Sequence, residues 1–274
     1  MAVGPDLLPR VASAMLLAPV VLFAAFVGGW PFAALLAIAA ILVLWEWLGM
    51  IAARPGGVLL ALGGGALAAA QANLQFNGTL PLTLVLTLLG AAALALVARG
   101  GSRERLWALG GMVYAAGVVF PAQLLRADPT LGLISLGWLL AVVWTTDIAA
   151  YFCGRLIGGP KLWPRVSPNK TWSGALGGAI LATLAGVLVL RVAGIDSFLY
   201  AAPVAFVVSV ASQGGDLFES SMKRRFGVKD SSHLIPGHGG LMDRLDGFIV
   251  GAALALAIGL LHAPEAPARG LLIW

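Results

Sequence analysis

The chain has 274 residues, of which 60% are hydrophobic and only 11% are charged. Soluble domains carry about 25% charged residues, so this composition excludes an ordinary water-soluble fold and makes lipid the solvent for most of the chain. The formal net charge of +5 would point to nucleic acid in a soluble protein, but here the basic residues lie between apolar runs, so we expect a lipid bilayer and anionic substrates as partners and no nucleic acid.

Nine apolar runs follow one another along the chain, and a membrane-spanning helix needs roughly 20 such residues. The runs lie near residues 11–29, 31–50, 57–74, 79–98, 106–125, 131–153, 173–193, 198–219 and 247–262. The sequence therefore predicts an all-α, polytopic membrane helix bundle of about nine transmembrane helices. We interpret the first run as a retained helix and not as a signal peptide, because a second run follows at once after a Gly-Gly-Trp-Pro turn.

The basic residues are distributed unevenly between the predicted loops. With nine spans and the N-terminus inside, all but three of the 17 Lys and Arg residues fall in inside segments; the exceptions are Arg126, Arg191 and Arg269. Cytoplasmic loops are enriched in Lys and Arg. We therefore expect a cytoplasmic N-terminus and two large cytoplasmic loops, at residues 154–172 and 220–246.

Acidic residues are rare inside the predicted spans, and two of them stand out. Glu46 lies between two tryptophans, and we interpret it as an interfacial carboxylate in an aromatic belt. Asp147 lies well inside the sixth run and shares a helical face with Tyr151 and Arg155. A buried acid in a span is by default a functional candidate, and an internal tether between Asp147 and Arg155 is the alternative.

The segment Ser167-Pro168-Asn169-Lys170-Thr171 leads into the seventh run. Its hydroxyls and its ammonium group could bind a phosphate. The alternative is a turn in which Thr171 caps the N-terminus of the seventh helix.

The end of the eighth run collects charged residues on one helical face. Asp216, Glu219, Ser220 and Lys223 are spaced i, i+3, i+4 and i+7. Acidic side chains at such depth are costly unless they face the protein interior, pair with a base or bind a cation. The alternative is an ordinary helix end with a solvated ion pair.

A polar segment follows, too rich in Gly, Pro and Ser for a regular helix. Glycines at positions 237, 239 and 240 would let backbone N–H groups turn toward an anion. Asp243 and Asp246 then open the ninth helix with i, i+3 spacing, and oxygen ligands of that kind suit Mg²⁺. Taken singly, each acid could instead cap the first turn of the helix.

Two histidines lie in the same polar segment. His238, between glycines, is a candidate phosphate donor or a residue that shapes the loop, whereas we interpret His233 as incidental. Neither has the His/Cys spacing of a zinc site.

These residues resemble the signature of the phosphatidate cytidylyltransferases, the CDP-diacylglycerol synthases. The family pattern runs Ser-x-x-Lys-Arg, then Lys-Asp, then Pro-x-His-Gly-Gly-x-x-Asp-Arg-x-Asp, and residues 220–246 fit it in order and spacing. The Asp147-x-x-Ala-Tyr helix, the Ser-Pro-x-Lys-Thr loop and the Gly-Asp-x-x-Glu-Ser segment are also similar, so the resemblance covers residues 140–250. One departure is Ser173, where the family often has Glu.

The resemblance implies the reaction of CTP with phosphatidic acid to give CDP-diacylglycerol and pyrophosphate. It divides the chain into a transmembrane scaffold over 1–130 and a catalytic transmembrane region over 131–274. The implied metal ligands are Asp147, Asp216, Asp243 and Asp246. The implied catalytic residues are Lys223, Arg224, Lys229, Asp230, His238 and Arg244. The implied substrate-binding residues are Ser167, Asn169, Lys170, Thr171, Ser220, Ser221, Gly237, Gly239 and Gly240. Mg²⁺ is the implied cofactor, with a second cation left open.

We expect the protein to lie in the cell (inner) membrane, with the active site facing the cytoplasm because both basic loops are cytoplasmic by the distribution of Lys and Arg. The resemblance implies a homodimer. Two further functions stay open on the residues alone. Another CTP-dependent lipid enzyme, either a polyprenol kinase or an archaeal-type lipid cytidylyltransferase, would use similar polar groups. An ion-coupled transporter would also place acids inside the membrane, although it has no obvious need for a basic, Gly-rich loop.

Overall fold

The computed structural model describes residues 7–54, 56–76, 78–237 and 239–274. Its helices are α1 (Leu7–Val27), α2 (Gly29–Met50), α3 (Gly56–Gln75), α4 (Leu80–Val97), α5 (Ser102–Arg126), α6 (Gly132–Ile157), α7 (Trp172–Val192), α8 (Phe198–Arg225), α9 (Met242–His262) and α10 (Pro267–Leu272). Within the described residues, the eight helices from α2 to α9 are long and apolar enough to cross a membrane, and Met15–Val27 of α1 is a shorter apolar helix. The predicted polytopic helix bundle is confirmed.

Helix boundaries differ from the apolar runs at the polar ends. Helix α8 continues to Arg225 and helix α9 begins at Met242, five residues before the apolar run. Hydropathy detects only the lipid-compatible part of a helix, whereas backbone hydrogen bonding continues into charged residues. The expected break between the first two helices lies at Gly28, whose φ of 67° is in the left-handed region that favours glycine.

The predicted turn before the seventh helix is a β-hairpin instead. Strand β1 (Lys161–Trp163) pairs antiparallel with strand β2 (Ser167–Thr171), with Lys161 opposite Thr171. The capping role of Thr171 is confirmed, because its hydroxyl oxygen accepts from the Gly174 N–H at 3.1 Å. The hairpin thus holds Lys170 one residue before the cap of α7.

The chain divides into two compact units. The first consists of the described residues up to Gln123 together with Phe226–Leu245, and the second of Leu124–Arg225 with Asp246–Trp274. The predicted division at residue 130 into a scaffold and a catalytic region concerns function and stays a prediction.

Each unit has its own apolar core. In the first unit Trp47 is buried, packs against Tyr114 with ring centroids 5.2 Å apart and donates to the Trp107 carbonyl at 2.8 Å. The core of the second unit includes Trp138, Leu139, Val142, Ala205, Val208 and Ala252. Many large apolar side chains of both units are exposed, as expected for surfaces covered by lipid.

Candidate functional site

Four charged side chains of the second unit interact with one another, and we call Asp147, Asp216, Asp246 and Lys170 the carboxylate cluster. Asp147 is exposed, so the expectation that it is a buried acid is wrong, and the other three are half-buried. Lys170 of β2 forms an ion pair with Asp216 of α8. Asp246 of α9 lies within electrostatic range of Asp216, of Asp147 on α6 and of Lys170. Three predicted metal ligands and one predicted substrate-binding residue therefore come together from four different elements.

Glycines explain why acids on α8 and α9 can lie so close. A methyl group added at Gly215 would lie 2.5 Å from the Asp246 carbonyl oxygen and 2.9 Å from Val250 Cγ2. A methyl group added at Gly247 would lie 2.6 Å from Ser212 Oγ. The two helices therefore meet backbone to backbone at the residues next to Asp216 and Asp246, as small residues permit in lipid.

The donor set of the carboxylate cluster fits a divalent cation. The cluster contains three carboxylates and one ammonium group, so it carries an excess of negative charge, and hard oxygen donors are the ligands of Mg²⁺. Within the described residues, no three His, Cys, Asp or Glu side chains lie close enough together to form an assembled metal centre. The partner of Asp216 in this structure is Lys170, and the metal assignment stays a prediction.

The charged face of α8 is more buried than a solvated helix end would be. Lys223 Nζ lies 2.6 Å from Glu219 Oε2, with the two side chains 13% and 1% exposed. Ser220 Oγ donates to Asp216 Oδ1 at 3.4 Å. Glu219 thus neutralises Lys223 inside the second unit, and the reading of this pair as a solvated surface pair is wrong.

The polar segment between α8 and α9 (residues 229–242, the signature loop) folds around Asp243 in the first unit. Asp243 Oδ2 accepts three hydrogen bonds: from Ser231 N at 3.0 Å, from Ser231 Oγ at 2.8 Å and from Gly240 N at 2.8 Å. Gly237 and Gly239 have φ angles of 75° and 82°, as the tight turn requires. The Gly240 N–H, predicted to face an anion, therefore faces the protein's own carboxylate.

Glu46 is the functional candidate that the sequence pattern misassigned. It is 1% exposed, so the interpretation as an interfacial carboxylate in an aromatic belt is wrong. Its Oε1 accepts from Ser232 Oγ at 2.6 Å and from Leu241 N at 2.8 Å, and its Oε2 accepts from Met242 N at 2.6 Å. An acid within an apolar run was the available signal, but its partners lie more than 180 residues away.

The remaining predicted residues differ in exposure. Arg224, Lys229, Asp230, Arg244, Asn169 and His233 are exposed, Ser167 is half-buried and Thr171 is buried. Ser221 Oγ donates to the Phe218 carbonyl at 2.7 Å. His238 lies outside the described residues, so its predicted role stays a prediction.

Two further expectations concern the end of α6 and the start of α7. The Arg155 guanidinium donates to the Tyr151 hydroxyl at 2.7 Å, which confirms that these residues share one face of α6. Ser173, which stands where the family often has Glu, has its hydroxyl 3.0 Å from Thr171 Oγ1 and donates to the Gly158 carbonyl. At this position the chain therefore uses a neutral hydroxyl to connect the hairpin base to α7.

Comparison with known proteins identifies the family. Residues 8–261 match the model of the cytidylyltransferase family. The phosphatidate cytidylyltransferase of Brucella suis biovar 1 (strain 1330) is 38% identical over 263 residues, which is 96% of this chain and 97% of that relative. The chain therefore belongs to the cytidylyltransferase family, and the resemblance expected from the signature is confirmed.

Matches over a shorter part of the chain agree. The phosphatidate cytidylyltransferase of Bacillus subtilis (strain 168) is 42% identical over 119 residues, covering 43% of this chain and 44% of the relative. That of Staphylococcus saprophyticus subsp. saprophyticus is 45% identical over 109 residues, covering 39% and 42%.

Proposed function

We propose that the protein transfers the cytidylyl group of CTP to phosphatidic acid, giving CDP-diacylglycerol and pyrophosphate. The observation that carries this proposal is 38% sequence identity, over 96% of this chain, with a protein named for that activity. The carboxylate cluster supplies charged groups in a chain of which only 11% of the residues are charged, as a reaction between a lipid and a nucleotide needs.

The reaction joins two anions. A phosphate oxygen of phosphatidic acid forms a bond to the α-phosphorus of CTP, and the bond from that phosphorus to the bridging oxygen of pyrophosphate breaks. Transfer of this kind needs little covalent work from the protein, chiefly positioning and neutralisation of charge. No nucleophilic side chain is required, because the lipid phosphate attacks directly.

The basic residues fall into two groups by their partners. Lys170 and Lys223 form ion pairs with Asp216 and Glu219, so each ammonium group is held at a fixed place and its charge is largely offset by its partner. Exposed Arg224 on α8 can reach an incoming phosphate without first leaving a buried pair. Lys229, at the start of the signature loop, is exposed in the same way.

A divalent cation belongs to the proposal, and Asp147, Asp216 and Asp246 would hold it. When bound, Mg²⁺ neutralises triphosphate oxygens and stabilises the leaving pyrophosphate. The role of Asp243 as a further ligand and the presence of a second cation stay predictions from the sequence, because Asp243 Oδ2 already accepts three hydrogen bonds within the signature loop.

The site lies, on this proposal, at the cytoplasmic face of the inner membrane. The basic residues of the hairpin and of the signature loop support it, since cytoplasmic loops are enriched in Lys and Arg. There CTP arrives from water while the diacyl tails stay in lipid. The homodimer implied by the family stays an expectation.

Isotopic labelling tests the reaction. Purified protein with phosphatidic acid and Mg²⁺ should move ³²P from α-labelled CTP into the lipid fraction, and no ³²P from γ-labelled CTP. Lipid labelled only from the γ position would indicate a kinase. Ion flux into vesicles without consumption of CTP would indicate a transporter.

A further inference from the structure

The carboxylate of Glu46 connects helix α2 to the signature loop within the first unit. Leu241 and Met242, the residues at the start of α9, donate their backbone N–H groups to it at 2.8 and 2.6 Å. Ser232 adds a hydroxyl donor at 2.6 Å, and Ser231 Oγ lies 3.4 Å from the second oxygen. Each of these neighbours can donate a hydrogen bond, and both carboxyl oxygens of Glu46 act as acceptors.

The surroundings make this carboxylate dependent on those donors. Glu46 is 1% exposed, and a buried charge is costly unless hydrogen bonds replace its hydration. Charge-assisted hydrogen bonds are short, as observed here, and the first turn of a helix favours negative charge. A methyl group at Gly240 would lie 2.6 Å from Glu46 Oε1, so the loop approaches the acid as closely as a glycine allows.

Ser231 connects Glu46 to Asp243. Its Oγ lies 3.4 Å from Glu46 Oε2 and 2.8 Å from Asp243 Oδ2. Its single hydroxyl proton can be donated to one carboxylate at a time, and the shorter distance assigns it to Asp243. Glu46 therefore holds the backbone on which Asp243 is mounted and does not compete for the same proton.

We infer that Glu46 is a positioning residue that fixes the signature loop and the start of α9 for binding the phosphates of CTP. This inference rests on the proposed function for the identity of the nucleotide, and on the hydrogen bonds alone for the anchoring. Glu46 acts through Leu241, Met242 and Asp243 and need not touch substrate.

Glu46→Gln is a sharp test because neither orientation of an amide fits. The amide places an NH₂ group, a donor, at one of the two oxygen positions. At Oε1 it would face the N–H of Leu241, and at Oε2 it would face the N–H of Met242, and a backbone N–H cannot become an acceptor. Glu46→Asp keeps two acceptor oxygens but withdraws them by one methylene.

We expect Glu46→Gln to raise the KM for CTP and to lower kcat/KM for CTP by about 10²-fold, the scale for a misplacement of about 1 Å. The KM for phosphatidic acid should stay within twofold, and Glu46→Asp should restore part of the loss. Glu104→Gln, which changes an exposed acid in the same unit, is the control and should behave as wild type.

Hydrogen exchange of the unliganded protein provides a readout that needs no turnover. Glu46→Gln should accelerate amide exchange over residues 230–245 at least tenfold and leave α3 and α4 unchanged. If Glu46→Gln fails to accumulate, Ser232→Ala, which removes one donor only, should give the same pattern at smaller size.

Two results would overturn the inference: unchanged exchange over residues 230–245, or a fall in kcat with the KM for CTP unaltered. A wild-type protein that forms no CDP-diacylglycerol would instead overturn the proposed function, and the exchange comparison would still decide whether Glu46 anchors the loop.

Discussion

Asp216 and Asp246 are the two acids on which the proposed metal site chiefly depends. The two acids approach each other from different helices, and one ammonium, that of Lys170, offsets part of their charge. Charged groups inside a membrane protein are retained when they pair, bind a cation or serve a substrate. Replacing one acid by its amide tests these roles with almost no change in volume.

Asp246→Asn should abolish turnover while leaving membrane insertion unchanged. Mutation of even the outer-shell partners of a metal ligand costs roughly 10–100-fold, so loss of a ligand should exceed about 100-fold in the formation of CDP-diacylglycerol from labelled CTP. Asp196→Asn is the matched control, because Asp196 forms an exposed ion pair with Arg191 and such pairs contribute little. Retained turnover in Asp246→Asn would remove the metal assignment.

Asp243 differs from Glu46 in how its donors are arranged. Three hydrogen bonds converge on one oxygen, Oδ2, so an asparagine can satisfy these three with its carbonyl oxygen. Asp243→Asn therefore keeps them while removing the charge, whereas Asp243→Ala removes both. Comparison of the two variants separates the charge of this residue from its part in folding the loop.

At the scale of the elements, the distance between the acids of α8 and α9 depends on glycine. Gly215 meets the backbone of α9, whereas its neighbour Gly214 is exposed and has nothing within 4 Å of an added methyl group. The same substitution at adjacent positions of one helix therefore has opposite consequences.

Gly215→Ala should reduce kcat/KM by about 10²-fold, because α8 has to move away from α9 and carries Asp216 with it. Gly214→Ala should retain activity and, by the ordinary helix preference for Ala, stabilise α8 by about 0.5–1 kcal/mol. Steady-state kinetics and thermal unfolding of the two variants in detergent make the comparison. Equal activity of both variants would contradict the proposed close approach.

At the scale of the whole molecule, the membrane topology can be tested by labelling. Helices α7, α8 and α9 separate Asn169 from Glu265, and an odd number of crossings places the two residues on opposite sides of the membrane. In a Cys153→Ala background, an impermeant maleimide added to intact cells should label Glu265→Cys and should label Asn169→Cys only after the membrane is opened. Labelling of Asn169→Cys alone from outside would reverse the predicted orientation, and labelling of both from outside would contradict the three crossings.

The membrane-spanning runs were predictable from the sequence, whereas contacts between residues far apart along the chain were not. Apolar runs located the spans because lipid imposes one length and one composition on every helix. Asp147 and Asp216 stood out because charge is rare in spans, and Asp246 stood out by its i, i+3 spacing with Asp243 at the start of the ninth helix. The hairpin at 161–171 was missed because three- and five-residue strands carry little periodicity. Glu46 was misassigned because nothing local distinguishes a hydrogen-bonded acid from an interfacial one.

The separation between Glu46 and its partners has a consequence for biogenesis. Ser231 follows Glu46 by 185 residues, and at 5–20 residues per second a ribosome needs roughly 10–40 s to synthesise that length. During this interval the acid of the second helix exists without the loop that later satisfies it. We therefore expect this end of the nascent helix to stay close to water until residues 231–242 have been synthesised. A chain truncated after Arg225 lacks the loop whose donors bond to Glu46. We therefore expect such fragments to be degraded by quality-control proteases.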